Sequence, residues 1–279
     1  MSQLFPPVAG SPPAPDNPVV RPGPTIIKFG GTSLATAHRI RRAADRVARL
    51  HRDGRQPVVV VSAQGHATDR ILARLEAVAG RAGGRRGFGR ERDRALATGE
   101  DLAAALLALA LRALGVPARS LRGGEAGLRA AGPFGAGRPV TLHSTRLARI
   151  LVARQVPVVA GFQAVRADGE TVTLGRGGSD ITAVFLAVHL RARECHIVTD
   201  VAGVHTADPR REPDAVLLPF LAHADLVRLA AAGAEVVHPD AARRAALAGL
   251  PLRVLHHRAP FHSPGGTLVT AAAEATPCR

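Results

Sequence analysis

Strand-like and helix-like segments alternate through most of this chain, and four of the strands run into glycine-containing turns. Residues 25–29 read as a strand, and 35–50 as a helix with apolar positions at Ile40, Ala44, Val47 and Leu50. Four consecutive valines make 57–62 a buried strand. Helix is predicted over 69–82 and over 94–114, the latter broken at Gly99. Residues 157–165 and 171–174 read as strands around a hairpin at Asp168-Gly169. A helix over 180–191, a strand over 196–199, helices over 222–232 and 240–248, and a closing strand over 251–255 complete the pattern. Strands separated by helices of this length pair in parallel, with helices on both faces of the sheet. No internal repeat is present, and 279 residues suffice for one large α/β domain or two small lobes.

One lysine stands among the 37 Lys+Arg residues. It is Lys28, at the end of the first strand, directly before a glycine pair. Arginine and lysine interchange on most solvated surfaces, so a chain drifting toward arginine keeps lysine where a slim point charge is needed rather than a planar fork. A cation beside a phosphate in a crowded site is such a place. The net charge of +15 raises a polynucleotide partner. The arginines, however, are spread along the chain, with the densest cluster in a Gly/Arg-rich loop at 81–94. With no Trp or Tyr, a base-stacking platform would rest on eight Phe. No specific nucleic acid is expected, only weak nonspecific attraction.

No apolar run is long enough to span a bilayer. The longest, 102–111, is followed at once by Arg112 and predicts a buried helix. Residues 1–24 are rich in proline, lack a secretory pattern, and are expected to form a disordered tail. Residues 271–279 are expected to form a second tail, leaving a domain over 25–270. Cys195 and Cys278 lack metal-ligand spacing, so they read as a buried apolar residue and a tail residue, and a reducing cytoplasm fits.

Four loops carry candidate chemistry. In Lys28-Phe-Gly-Gly-Thr-Ser33 the lysine precedes the glycines, unlike a P-loop, and the glycines let backbone amides approach an anion. A tight strand-to-helix turn beside a snorkelling lysine is the bland alternative. In the loop after 58–61, Ser62 and Thr68 can hydrogen-bond a carboxylate or simply cap a helix. In Leu174-Gly-Arg-Gly-Gly-Ser-Asp180, Arg176 offers a fork for a carboxylate or phosphate at a helix start, while Asp180 is either a ligand-facing group or an N-cap. The loop from Thr199 to Arg210 is polar, turn-rich and of a length to hold a nucleotide.

Taken in order, these segments resemble the aspartate kinases, within the wider amino-acid kinase family. The match runs from about 25 to 269. Besides the first and third loops it takes in Thr98-Gly-Glu100, Val159-Ala-Gly-Phe-Gln163, Thr199-Asp-Val-Ala-Gly203, Thr206-Ala-Asp-Pro-Arg210 and Gly233-Ala-Glu-Val-Val-His-Pro239. The resemblance implies a three-layer αβα sandwich around a mainly parallel sheet, with L-aspartate over the N-terminal half and ATP, with Mg²⁺ bridging its phosphates, over the C-terminal half. It implies transfer to the β-carboxylate, giving aspartyl 4-phosphate, and a homodimer. In the family, residues matching Lys28 and Asp180 are catalytic, the lysine neutralising the transferring phosphoryl group. Those matching Glu100 and Arg176 grip the ammonium and α-carboxylate of the substrate, and Thr68 and Ser179 complete its pocket. Gly30, Gly31, Thr32, Ser33, Thr199, Asp200, His205, Arg210 and Glu235 match nucleotide-side positions.

Three departures stand out. Glu235 replaces the usual lysine near the ATP phosphates, a reversal of charge that arginine drift does not explain. His205 replaces the usual tyrosine of the nucleotide loop. The chain also ends soon after Gly265-Gly-Thr-Leu-Val269, where regulatory ACT domains normally follow, so feedback control through them is expected to be absent. Glu235 supports a second reading, a catalytically weak homologue serving as a ligand- or partner-binding subunit. Retention of Lys28, Glu100, Arg176 and Asp180 favours an active enzyme.

Overall fold

The computed structural model describes residues 23–80, 88–207, 212, 214–234, 236–259 and 265–271. The predicted tails fall almost wholly outside these residues, as do Cys278, Arg210, Glu235 and half of the 81–94 arginine cluster. The chain opens with β1 (Thr25–Phe29), α1 (Ala37–Arg52), β2 (Pro57–Val61), α2 (Ala67–Ala79) and α3 (Gly89–Ala113). There follow β3 (Ala118–Leu121), β4 (Leu128–Ala131), β5 (Arg138–Leu142), α4 (Thr145–Val152), β6 (Val156–Ala160), β7 (Gln163–Val165) and β8 (Thr171–Thr173). The last part contains α5 (Gly178–His189), β9 (Glu194–Thr199), β10 (Phe220–Ala222), α6 (His223–Ala231), α7 (Pro239–Leu247), β11 (Leu252–His256) and β12 (Thr267–Thr270).

Eight strands form the main sheet in the order β10-β12-β11-β9-β1-β2-β6-β3. Every pairing is parallel except β11 with β12. The all-buried runs Pro-Val-Val-Val-Val of β2 and Val-Pro-Val-Val-Ala of β6 are what a sheet covered on both faces requires. Ile26, Val58 and Val60 face a core built with α4, α5, α6 and α7, whereas Ile27, Val59 and Val61 face one built with α1 and α3. The expected three-layer sandwich is therefore present. β1 lies where the strand order reverses, with β2 and β6 to one side and β9 and β11 to the other. Such a switch point leaves a crevice at the carboxyl ends of the strands.

Several details differ from the sequence reading. α3 runs unbroken through Gly99, because that glycine serves a close contact: an added Cβ would lie 2.8 Å from the Ala63 Cβ. The run at 102–111 is buried on one face only, through Ala103, Ala104, Leu107, Ala108 and Leu111; Leu102 and Leu109 remain 57% and 64% exposed. Residues 157–165 are two strands rather than one, separated at Phe162, whose φ is 65°. β11 is not the last strand, since β12 returns antiparallel beside it. A second sheet, ordered β5-β4-β7-β8, contains the predicted Asp168-Gly169 hairpin but otherwise escapes the sequence reading. It is fastened to α3 by Asp93, fully buried, whose carboxylate accepts from the amides of Thr173 (2.7 Å) and Gly135 (2.8 Å) and from Thr173 Oγ1 (3.0 Å).

Candidate active site

The loops after β1, β2 and β9 are stitched together. Gly30 N donates to Val198 O (3.0 Å), Ser62 N to Phe29 O (3.1 Å) and Gly65 N to Gly31 O (2.9 Å). Above them comes the turn after β8, Gly175-Arg176-Gly177, which starts α5. Between lies a cleft of about 290 Å³ whose walls include Lys28, Gly31, Thr68 and Glu100 on one side. Arg176, Ser179 and Asp180 close the other, with Ser62 and Phe162 contributing. Eight of the residues singled out in the sequence, Ser62 among them, thus meet in one place.

Lys28 is the one residue of β1 that is not fully buried. Its Nζ lies 2.8 Å from Asp180 Oδ1, with 13% of the lysine side chain exposed. Asp180 is not the N-cap of α5: Gly177, at φ 70°, holds that position and Asp180 stands in the first turn. Its second oxygen, Oδ2, accepts from the His238 amide at 3.1 Å. An ammonium held this way is fixed in direction yet reachable from the cleft.

Glu100 sits inside α3 where Gly99 lets the helix press against the β2 loop. Its Oε1 accepts from Ala63 N at 3.0 Å, while Oε2 is buried with no hydrogen-bond partner among the described residues. Burial pushes the carboxyl up to about 7, against the opposing pull of the Ala63 amide. A buried acceptor with one lone oxygen is costly until a donor arrives. Arg176 stands exposed at the cleft mouth, and Ser179 is buried beneath it. Phe162 is held in its left-handed conformation by two hydrogen bonds: its amide donates to Thr182 Oγ1 (3.2 Å) and its carbonyl accepts from Leu174 N (2.8 Å).

The nucleotide-side residues are more scattered. Ser33 Oγ donates to Val198 O at 3.4 Å and Thr32 O accepts from Arg39 NH1 at 2.6 Å, so both serve the stitching of the loop. Thr199 and Asp200 lie at the end of β9, with Thr199 Oγ1 donating to Asp200 Oδ1 at 3.2 Å. His205 approaches Gly203 O through Nδ1 at 3.2 Å and bridges to Leu217. Gly30, Thr32, Ser33, Thr199, Asp200 and His205 do not line the cleft, and Arg210 and Glu235 lie outside the described residues. His238 was part of a quoted motif but not read as a site residue. A backbone amide that grips a distant carboxylate leaves no mark in side-chain patterns.

The profile of the amino acid kinase family matches residues 23–256. The aspartokinase of Thermus thermophilus is 40% identical over 248 residues, which cover 89% of this chain and 59% of that protein. Aspartokinase 2 of Bacillus subtilis (strain 168) is 40% identical over 247 residues, covering 88% of this chain and 59% of that protein. The chain therefore spans about three fifths of the length of these curated relatives. Among solved structures, the aspartate kinase from Synechocystis superposes with a TM-score of 0.74 at 38% identity, over 91% of this chain and 40% of that one. Aspartokinase III of E. coli in complex with aspartate and ADP gives 0.78 at 27% identity, over 91% and 66%. With a family profile spanning well over half of its length, the chain belongs to the amino acid kinase family.

Proposed function

We propose that this protein transfers the γ-phosphoryl group of ATP to the β-carboxylate of L-aspartate, giving aspartyl 4-phosphate and ADP. The observation that carries the proposal is the composition of the cleft: a buried carboxylate, Glu100, with one oxygen unpartnered among the described residues, an arginine, Arg176, at the mouth, and one lysine, Lys28, at the strand end. Glu100 suits the ammonium of an α-amino acid and Arg176 its α-carboxylate, with Ser179 and Thr68 as hydrogen-bonding walls. The likeness to an aspartokinase that binds aspartate and ADP supports the same pair of ligands.

The chemistry needs no general base, because a β-carboxylate is ionised at neutral pH. One of its oxygens forms a bond to the γ-phosphorus as the bond from that phosphorus to the β,γ-bridging oxygen breaks, and ADP leaves with the electron pair. Catalysis then rests on alignment and on cancelling the charge of two anions brought together. Lys28, held in direction by Asp180, supplies the cation at the transfer point. Thr199, Asp200, His205, Arg210 and Glu235, together with Gly30, Gly31, Thr32 and Ser33, receive the nucleotide. Among the described residues no cluster of His, Cys, Asp or Glu would cage a metal ion by itself. A magnesium ion fits here as one carried on the nucleotide phosphates, with Asp200 at the end of β9 the carboxylate on that side to meet it. When bound it neutralises phosphate charge.

Two copies pair through the outer face of α3, where exposed Leu102, Ala105 and Leu109 follow helical spacing. No charged side chain interrupts residues 102–111, on a molecule carrying +15. This stretch offers a second copy an apolar strip free of like charge between Asp101 and Arg112.

The test is an ATP and Mg²⁺ assay across acidic amino acids, with hydroxylamine trapping the acyl phosphate. Hydroxamate is expected with L-aspartate. Lys28→Arg should lower turnover about 100-fold or more with the fold intact, since a planar fork does not fill the place of a point charge. No hydroxamate with any acidic amino acid, alongside measurable nucleotide binding, would replace this reading with that of a ligand-binding subunit.

A further inference from the structure

Two helices begin at one spot beside the cleft. α5 starts from Gly177 and α7 from His238. A Cβ added at Gly177 would lie 2.3 Å from His238 Cδ2 and 2.6 Å from its Cβ, so the imidazole rests directly on the glycine-loop backbone. Gly177, at φ 70°, is the residue type that permits both the turn and the contact. The same ring caps its own helix, Nδ1 accepting from Asp240 N at 3.3 Å. That bond needs a lone pair on Nδ1, which places the proton of a neutral ring on Nε2. The backbone adds a third contact. His238 N donates to Asp180 Oδ2 at 3.1 Å, while Asp180 Oδ1 lies 2.8 Å from Lys28 Nζ.

We infer that His238 is a positioning residue for Lys28, acting through Asp180. A carboxylate gripped at one oxygen by an amide and at the other by an ammonium cannot rotate without losing one of them. The amide stays in place because the ring fixes the start of α7 twice, by capping it and by wedging it against Gly177. Without the ring, the first residues of α7 are free to shift, the amide withdraws, and Asp180 turns on its Cα–Cβ bond. Lys28 then loses its fixed direction although every residue lining the cleft is unchanged. The kinetic consequence rests on the proposed reaction, whereas the structural consequence does not.

Both are measured on the full chain with His238→Ala, and with His238→Asn, whose side-chain oxygen restores the cap. Because Lys28 is the one lysine, protein labelled with ¹³C,¹⁵N-lysine gives a single side-chain signal. In H238A that signal should move by more than its line width; in H238N it should return toward the wild-type position. In the hydroxylamine assay H238A should lose roughly 10- to 100-fold in kcat, the scale of a misplacement near the chemistry. KM for aspartate should stay within about twofold, because Glu100 and Arg176 are untouched, and H238N should recover most of the rate. Should H238A fail to fold, His238→Gly removes the same capping bond and the same wedge at a residue type better tolerated at a helix start. An unmoved lysine signal in the folded variant overturns the inference, as does unchanged kcat in an active wild type or a rate loss that merely follows the unfolded fraction. If the wild type yields no hydroxamate, the proposed function falls, and the lysine signal alone decides the role of His238.

Discussion

Glu100 is poised to respond to what lies beside it. Burial holds its carboxyl at about 7, well above the range it has in an unfolded chain. The sign follows from linkage: the stability associated with this group is fully present below the unfolded carboxylate range and is lost as pH rises through about 7. Glu100→Gln should therefore stabilise the ligand-free protein by about 1–2 kcal/mol at pH 8 and by little at pH 5, read from urea unfolding. The same variant should bind aspartate at least about 30-fold more weakly, because an ammonium loses its ionised partner. In the wild type, aspartate binding at pH 6 should release protons, detectable by calorimetry in buffers of different ionisation enthalpy. Lys28, Arg176 and Asp180 drew notice in the sequence through their own side chains, Glu100 and Ser179 through the family resemblance, and the fold brings all five to one cleft. Their backbone partners, the amides of Ala63 and His238, were not legible in the sequence. Gly99 was misread for a related reason: a missing side chain signals either flexibility or proximity, and only the fold says which.

The strands that hold the site differ in how openly they announced themselves. β2 and β6 bury nearly pure valine, which is unambiguous. β3, β4 and β10, at three or four residues with Arg and Ala among them, are too short for any period to emerge. The same brevity hid most of the second sheet. β9 shows what neither period nor motif conveys, a charge cluster holding three segments at the far end of the sheet from the cleft. Glu194 lies 3.2 Å from His196, 3.4 Å from Arg253 on β11 and 3.7 Å from Arg55 before β2. Burial pushes its carboxyl up, but the close approach of His196, with the charges of Arg253 and Arg55, outweighs that and holds it at about 2. A depressed carboxyl stabilises the fold above its unfolded range and loses that contribution as pH falls toward about 2. Glu194→Gln should cost about 1–2 kcal/mol at pH 7, with the gap to wild type closing by pH 2–3 in a thermal melt series. A gap independent of pH would assign the loss to packing instead.

At the scale of the molecule, one sheet separates two cores, and the layers follow from the alternation of strand and helix in the sequence. The proposed pairing through α3 belongs here. Leu109 is 64% exposed, so Leu109→Glu should leave stability within about 0.5 kcal/mol while converting a dimer to a monomer in sedimentation. A wild type that sediments as a monomer at micromolar concentration removes that interface. Among the described residues no helix is long and apolar enough to cross a membrane. The buried Asp93 anchor has a mechanical consequence. Pulling the small sheet away from α3 would strip an anion of three donors, so the two move as one slab. Glu100 rides on that helix and Arg176 follows the strand fastened to it, so the two facing walls of the cleft are held at a set spacing. A ligand is therefore expected to be chosen by fit to an opening shaped in advance, rather than by walls that fold around whatever arrives.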